Sequence, residues 1–204
     1  MSHELPRLAF AAGLTLLAAF AAGTAAAQAP ADSKTFENAP LRYSVALPSG
    51  CRHDEGPGTL DAICSTDLDA EKSAAASAAA ALVLEVGVEA VPADASAPPA
   101  DLAQRYGETH FREELAEAIC GETDWAKVKI ADAKQVLESA RVVYTAGVTC
   151  PEIRFLGLGE RRAAVQFVIT PGLRYRLMAR AQTEDFERRK ETVNAFFASF
   201  RILP

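Results

Sequence analysis

The stretch Arg162–Ile202, RAAVQFVITPGLRYRLMARAQTEDFERRKETVNAFFASFRI, decides the fold. It reads as strand, tight turn, strand, helix. Ala163 to Ile169 form the first strand, and Thr170-Pro171-Gly172-Leu173 form the turn. Proline pre-sets φ at the second turn position, and glycine accepts the positive φ that a type II turn needs at the third. Leu173 to Ala181 return as the second strand. Thr183 then stands where an N-cap hydroxyl accepts an orphan backbone N–H, with Glu184 and Asp185 in the turn where the helix dipole favours negative charge. The helix carries Phe186, Val193, Phe196, Phe197 and Phe200 on one stripe.

A simple register across this turn sets Tyr175 opposite Val168 and Arg176 opposite Phe167. One face of the hairpin then carries Val168, Tyr175 and Leu177, and the other Val165, Phe167, Ile169 and Met178. A sheet with one solvated face shows a cleaner in/out alternation than this. Cover over part of both faces is therefore expected: the Phe-rich helix on one side, another segment on the other. The expected class is α+β, an antiparallel sheet between helices.

The chain of 204 residues has a net charge of -6 and a mean hydropathy near zero, values that suit one ordinary domain. The acidic balance argues against nucleic acid as a partner, because phosphate binding needs a basic surface. At the N-terminus, Arg7 precedes an apolar run from Leu8 to Ala22, and Ala25-Ala26-Ala27 offers small residues for cleavage before Gln28. This reads as a signal peptide over 1–27, followed by one domain over 28–204. The run is short and alanine-rich for a membrane span, and no second run of spanning length follows. The expectation is a soluble monomer in a bacterial periplasm or outside the cell.

All four cysteines, Cys51, Cys64, Cys120 and Cys150, lie in the exported part. An even count in an oxidising compartment reads as a disulfide framework. Of the three connectivities, Cys51–Cys64 with Cys120–Cys150 is favoured, since the first pair closes a short loop between neighbouring strands and the second ties a helix end to the sheet. Each closure stabilises by roughly 2–4 kcal/mol, largely through the unfolded state.

Along the rest of the chain, Gln28 to Lys34 read as a disordered lead-in and Phe36 as a docking residue. Leu41 to Leu47 alternate as a strand that Pro48-Ser49-Gly50 ends. Cys51 to Leu60 read as a Gly/Pro-rich loop holding His53, Asp54 and Glu55, and Asp61 to Ser65 as a short strand. Residues 66–81 are helix or loop. Leu82 to Val91 form a strand, and Pro92 to Ala100 a linker. Asp101 to Cys120 read as helix with a break near Gly107. Residues 125–144 are ambiguous: Ala126, Val128 and Ile130 alternate as in a strand, Asp132 to Val143 suits a helix by propensity or a continued hairpin, and strands are favoured on the β-branched content near Arg141 to Thr145. Ile153 to Leu158 extend the meander.

LRYSVALPSGC at 41–51 and the ending LRYRLMARAQTEDFERRKETVNAFFASFRIL at 173–203 resemble the first and last elements of PsbP-like domains, including the DcrB-like periplasmic branch. The resemblance implies an antiparallel sheet sandwiched between helices. That family has no common catalytic apparatus, so the resemblance carries over no active-site residue, and it implies an accessory or binding role without a cofactor.

Candidate chemistry is sparse. Only His53 and His110 remain after leader removal, which limits Ser-His catalysis and His-rich metal sites. Asp67-Leu68-Asp69-Ala70-Glu71 begins like a calcium loop, but Lys72 stands at its glycine position and Ala78 at its terminal glutamate. Gly157-Leu158-Gly159 lacks the rest of a dinucleotide fingerprint. No catalytic or metal residue is assigned. The last third concentrates arginines, and Arg174, Arg176 and Arg180 share one strand face. Such a strip suits an anionic ligand or the acidic surface of an envelope protein, against the alternative of pairing with Glu184, Glu187 and similar acids. Two rival classes stand beside a binding module. One is a hydrolase around His53 and the nearby acids Asp54 and Glu55, which requires a pocket joining His53 to a nucleophile or a metal. The other is a small-ligand carrier, which requires a cavity between sheet and helix.

Overall fold

The computed structural model describes residues 33–64, 82–91, 98–105, 108–120, 127–138, 141–150 and 160–204. In chain order the strands are β1 (Ser33–Asn38), β2 (Tyr43–Pro48), β3 (Arg52–Gly56), β4 (Thr59–Cys64), β5 (Leu82–Ala90), β6 (Lys129–Leu137), β7 (Val142–Cys150), β8 (Arg161–Thr170), β9 (Leu173–Gln182) and β10 (Arg201–Ile202). The helices are α1 (Pro99–Arg105) and α2 (Glu108–Cys120) between β5 and β6, then α3 (Thr183–Arg188) and α4 (Lys190–Ser199) between β9 and β10. A seven-stranded sheet runs in the order β3-β4-β5-β9-β8-β7-β6, and a three-stranded one in the order β1-β2-β10. Every pairing is antiparallel.

The hairpin at the centre has the register its turn dictates. Val168 pairs with Tyr175 and Phe167 with Arg176. Gly172 sits at φ 89°, which its missing Cβ allows, and the Thr170 hydroxyl donates to the Leu173 carbonyl at 3.0 Å. The two faces divide as the alternation requires. Val165, Phe167, Ile169 and Met178 join the core beneath α1 and α2, while Val168, Tyr175, Leu177 and Ala179 join the core beneath the small sheet and the C-terminal helices.

These two cores lie over opposite halves of the large sheet. α1 and α2 cover β6 and β7, with Phe111 stacked between Tyr144 at 4.5 Å and Phe167 at 4.6 Å. On the other face α3 lies on β8 and β9, α4 lies on β2, and the core they close is filled from β4, β5 and β9. The Tyr175 hydroxyl donates to the Leu41 carbonyl at 3.1 Å, which locks β9 to the small sheet. Among the described residues, one face is therefore open over β3 to β5 and the other over β6, β7 and the part of β8 that α3 leaves uncovered.

Disulfides link Cys51 to Cys64 and Cys120 to Cys150. The first crosses the open end of the β3–β4 hairpin, and the second ties the end of α2 to the end of β7. No helix among the described residues is long and apolar enough to cross a membrane.

Four local expectations are corrected. Residues 51–60 are not a loop but a hairpin, whose first strand is exposed throughout and so lacks alternation. Ser33 and Lys34 belong to β1, paired with Pro48 and Leu47, so the lead-in ends before them. The Thr183 hydroxyl donates to the Glu160 carbonyl at 2.9 Å and caps nothing, because Gln182 holds the N-cap position. The C-terminal helix is two helices broken at Arg189, whose guanidinium donates to the Cys64 carbonyl at 2.6 Å. Burial pushes the Arg189 pKa down, and Asp185 partly offsets this. The expected break near Gly107 lies outside the described residues. Residues 66–81, 106–107, 121–126 and 151–159 lie outside the described residues, and with them the calcium-like run and Gly157-Leu158-Gly159.

Candidate functional site

The arginine strip is where the sequence placed it, but two of its three members are occupied. Arg174 and Arg176 stand on β9, on the same face as Glu85 and Glu89 of the neighbouring β5. Arg174 donates to Glu89 at 2.5 Å and to Glu114 of α2 at 2.7 Å. Arg176 donates to Glu85 at 2.6 Å and lies 3.6 Å from the second oxygen of Glu114. The Arg176 guanidinium lies over Gly87 of β5, in ordinary contact range of the place a Cβ would take. Burial works against the charge on Arg174, but Glu114 and Glu89 outweigh it and the pKa is raised. The chain Glu89–Arg174–Glu114–Arg176–Glu85 is thus a clamp that holds α2 on the sheet. The acids come from β5 and α2, not from the C-terminal helix; Glu187 pairs with Arg162 instead.

Arg180 occupies the same face beside a row of acids. Asp54, Asp61 and Glu85 stand directly opposite one another on β3, β4 and β5. Like charges in that arrangement repel. Asp61 feels it: desolvation, Glu85 and Asp54 push its pKa up, and Arg180 and Arg176 pull against them.

Strand alternation splits His53, Asp54 and Glu55 between the two faces. Asp54 joins the acid row, while His53 lies on the other side with its ring 6.1 Å from that of Phe36. There His53 lines a cavity of about 380 Å³ with Lys34, Thr35, Ser49 and Cys51. Glu55, on the His53 side, raises the pKa of Tyr43, which burial has already lifted; Asn38 lowers it in part, and the phenol stands at about 12. His110 falls within α2. Among the described residues, no group of three or more His, Cys, Asp or Glu side chains is placed to hold a metal ion.

The feature that composition did not reveal is a groove of about 340 Å³ over the open β7–β8 half of the sheet. Its floor is Thr145, Gly147, Ala164 and Gln166, and its wall is Phe186, Val193, Asn194 and Phe197 on α3 and α4. The depth has a simple origin. Ala131, Gly147 and Ala164 are directly opposite one another on β6, β7 and β8, so this row of the floor carries almost no side-chain volume. Beside it β6 bulges between Ala131 and Lys134, with Asp132 at φ 53°, a left-handed conformation that aspartate tolerates better than most residues. Arg162 and Glu187 pair at one end, and Lys190 stands on the wall.

No family model matches the chain, and no curated protein matches it in sequence. Similarity lies in the fold. The solution structure of cyanobacterial PsbP (CyanoP) from Synechocystis sp. PCC 6803 superposes with a TM-score of 0.54 at 14% identity, over 85% of this chain and 94% of that one. The chain has a PsbP-like fold. The Saccharomyces cerevisiae Ran-binding protein Mog1p aligns with a TM-score of 0.49 at 12% identity, over 84% of this chain and 95% of that one. A Pseudomonas aeruginosa protein, PA94, aligns with a TM-score of 0.47 at 10% identity, over 84% and 98%. In PsbP-like terms, the seven-stranded sheet is the middle layer, and the groove opens between it and the C-terminal helices of one outer layer.

Proposed function

We propose that this PsbP-like protein is an exported, non-catalytic binding or accessory protein of the bacterial cell envelope, and that the groove between the open half of its sheet and its C-terminal helices is the binding site. The leader-like N-terminus and the two disulfides support export to an oxidising compartment. The groove is the observation that carries the binding site. Its volume lies in the range of ligand sites, and its lining joins an apolar wall to a few polar groups. The arginine strip takes no part in this site: Arg174 and Arg176 are spent on the clamp, and Arg180 stands on the opposite face of the sheet.

A blocked groove tests this. A Cβ at Gly147 makes only ordinary contact, 3.5 Å from the Ala131 carbonyl, so Gly147→Val fills the floor without disturbing the strand. Used as bait in an envelope extract of the native host, the wild type retains a partner that Gly147→Val loses and Arg180→Glu keeps. Equal recovery by all three baits removes the groove from the account. The hydrolase reading has one support, the cavity that His53 shares with Ser49 and Thr35. Labelling of Ser49 by a fluorophosphonate probe, lost in His53→Ala, would favour it.

A further inference from the structure

The lining of the groove sets Arg162 and Lys190 against Asp132 and Glu187, and the edge strand beside it adds two further cations. Register places Lys129 opposite Thr149 and Lys134 opposite Thr145, so both lysines share the groove's face on the adjoining edge strand. With Arg162 and Lys190 they make four cations, against two anions, Asp132 and Glu187. This basic surround belongs to a protein whose net charge is -6.

Resting on the reading of the groove as the binding site, we infer that it receives an extended, acidic segment of a partner polypeptide. From Arg162 to Gln166 the floor runs along β8 for roughly 14 Å, the reach of about four extended residues. Across β8, β7 and β6 the floor spans two strand spacings, roughly 10 Å, a width that suits one extended chain. An extended chain presents alternate side chains to opposite sides. Small apolar side chains then drop onto Gly147 and Ala164 against Val193 and Phe197. The intervening carboxylates turn outward to Lys190 on one rim and Lys134 on the other. Thr145, Gln166 and Asn194 supply hydrogen-bonding groups at the level of the bound backbone. A membrane surface fits less well. A plane of lipid phosphates would also meet Asp132 and Glu187, which a segment with spaced acids avoids.

The test is fluorescence anisotropy at low salt, where such steering is strongest. The probe is a fluorescein-labelled peptide of about six alternating glutamate and valine residues, with the lysine-valine counterpart as control. The wild type binds the acidic peptide and not the basic one. Both exposed-rim substitutions together, Lys134→Glu with Lys190→Glu, weaken binding by roughly tenfold or more. Gly147→Val weakens it comparably at an unchanged melting temperature. Indifference of the wild type to the acidic peptide overturns the inference. So does acidic-peptide binding that Gly147→Val leaves intact, and so does rim-lysine-dependent binding to phosphatidylglycerol vesicles in place of the peptide. If Gly147→Val loses the native partner while the wild type ignores the acidic peptide, the occupant is wrong and the groove stands. If Gly147→Val changes neither, the groove itself fails.

Discussion

Replacing Glu114 by alanine should detach the clamp that holds α2 to the sheet. Glu114 is the one acid in the network that touches both arginines, at 2.7 Å from Arg174 and 3.6 Å from Arg176. Its side chain is 17% exposed and that of Arg174 is 11% exposed, so water replaces the lost carboxylate poorly. The remaining partner of Arg174, Glu89, is 57% exposed and its attraction is correspondingly screened. A charge-assisted hydrogen bond at such a site contributes about 1.5–3 kcal/mol, and the longer contact to Arg176 adds at most about 1 kcal/mol. The loss should be about 2–3 kcal/mol. With a urea slope near 2 kcal/mol/M, the unfolding midpoint falls by about 1 M. Arg174→Met alone should cost a similar amount, and the double variant much less than the sum, giving a coupling of at least about 1 kcal/mol. Glu114→Gln, which keeps an acceptor oxygen, recovers part of the loss. A midpoint within about 0.2 M of wild type for Glu114→Ala, or additive single and double variants, would refute the claim that the arginine strip is spent inside the fold.

Phe111→Ala empties the slot between Tyr144 and Phe167 and should cost about 3–5 kcal/mol by urea titration; a smaller loss than about 1 kcal/mol would mean that α2 is not held by its aromatic stack. Asp61→Asn relieves the acid row and should stabilise by a few tenths of a kcal/mol. The sign follows from linkage. The folded-state pKa of Asp61 is raised above 3.8, so the folded state holds this proton more tightly than the unfolded chain does. Its contribution is therefore most favourable at low pH and is lost as pH rises from that value through the folded pKa, and Asp61→Asn should flatten the slope there. Tyr43 works at the other end: the unfolded phenol ionises near 10.0 and the folded one near 12, so stability falls by roughly 2–3 kcal/mol across that interval. Urea midpoints at about pH 9 and about pH 11.5, compared with those of Tyr43→Phe, isolate that loss.

What could be read from residues alone was local. Pro171-Gly172 set the register of β8 and β9, and the register sorted Phe167 from Val168 and Met178 from Leu177 onto the right faces. Leu82, Leu84 and Val86 announced β5 by simple alternation. What escaped was non-local or unpatterned. β3 holds no buried residue, so its five positions gave no period and read as a loop. The helix break at Arg189 leaves the spacing from Phe186 to Val193 at two helical turns and so hides from a stripe. Arg174 and Arg176 were found, but their partners lie 60 to 91 residues away on α2 and β5, and only the folded register reveals the clamp. The groove is the extreme case. Ala131, Gly147 and Ala164 are ordinary small residues until β6, β7 and β8 pair and set them in one line.

The most direct measurement places a photo-crosslinking side chain at Asn194, on the groove wall, and separately at Asp54, on the acid row of the opposite face. Each variant is expressed in the native host and irradiated in intact cells. The account predicts a discrete polypeptide adduct from position 194 and none from position 54. An adduct from position 54 with none from 194 would contradict it, and would move the binding surface to the charged half of the sheet.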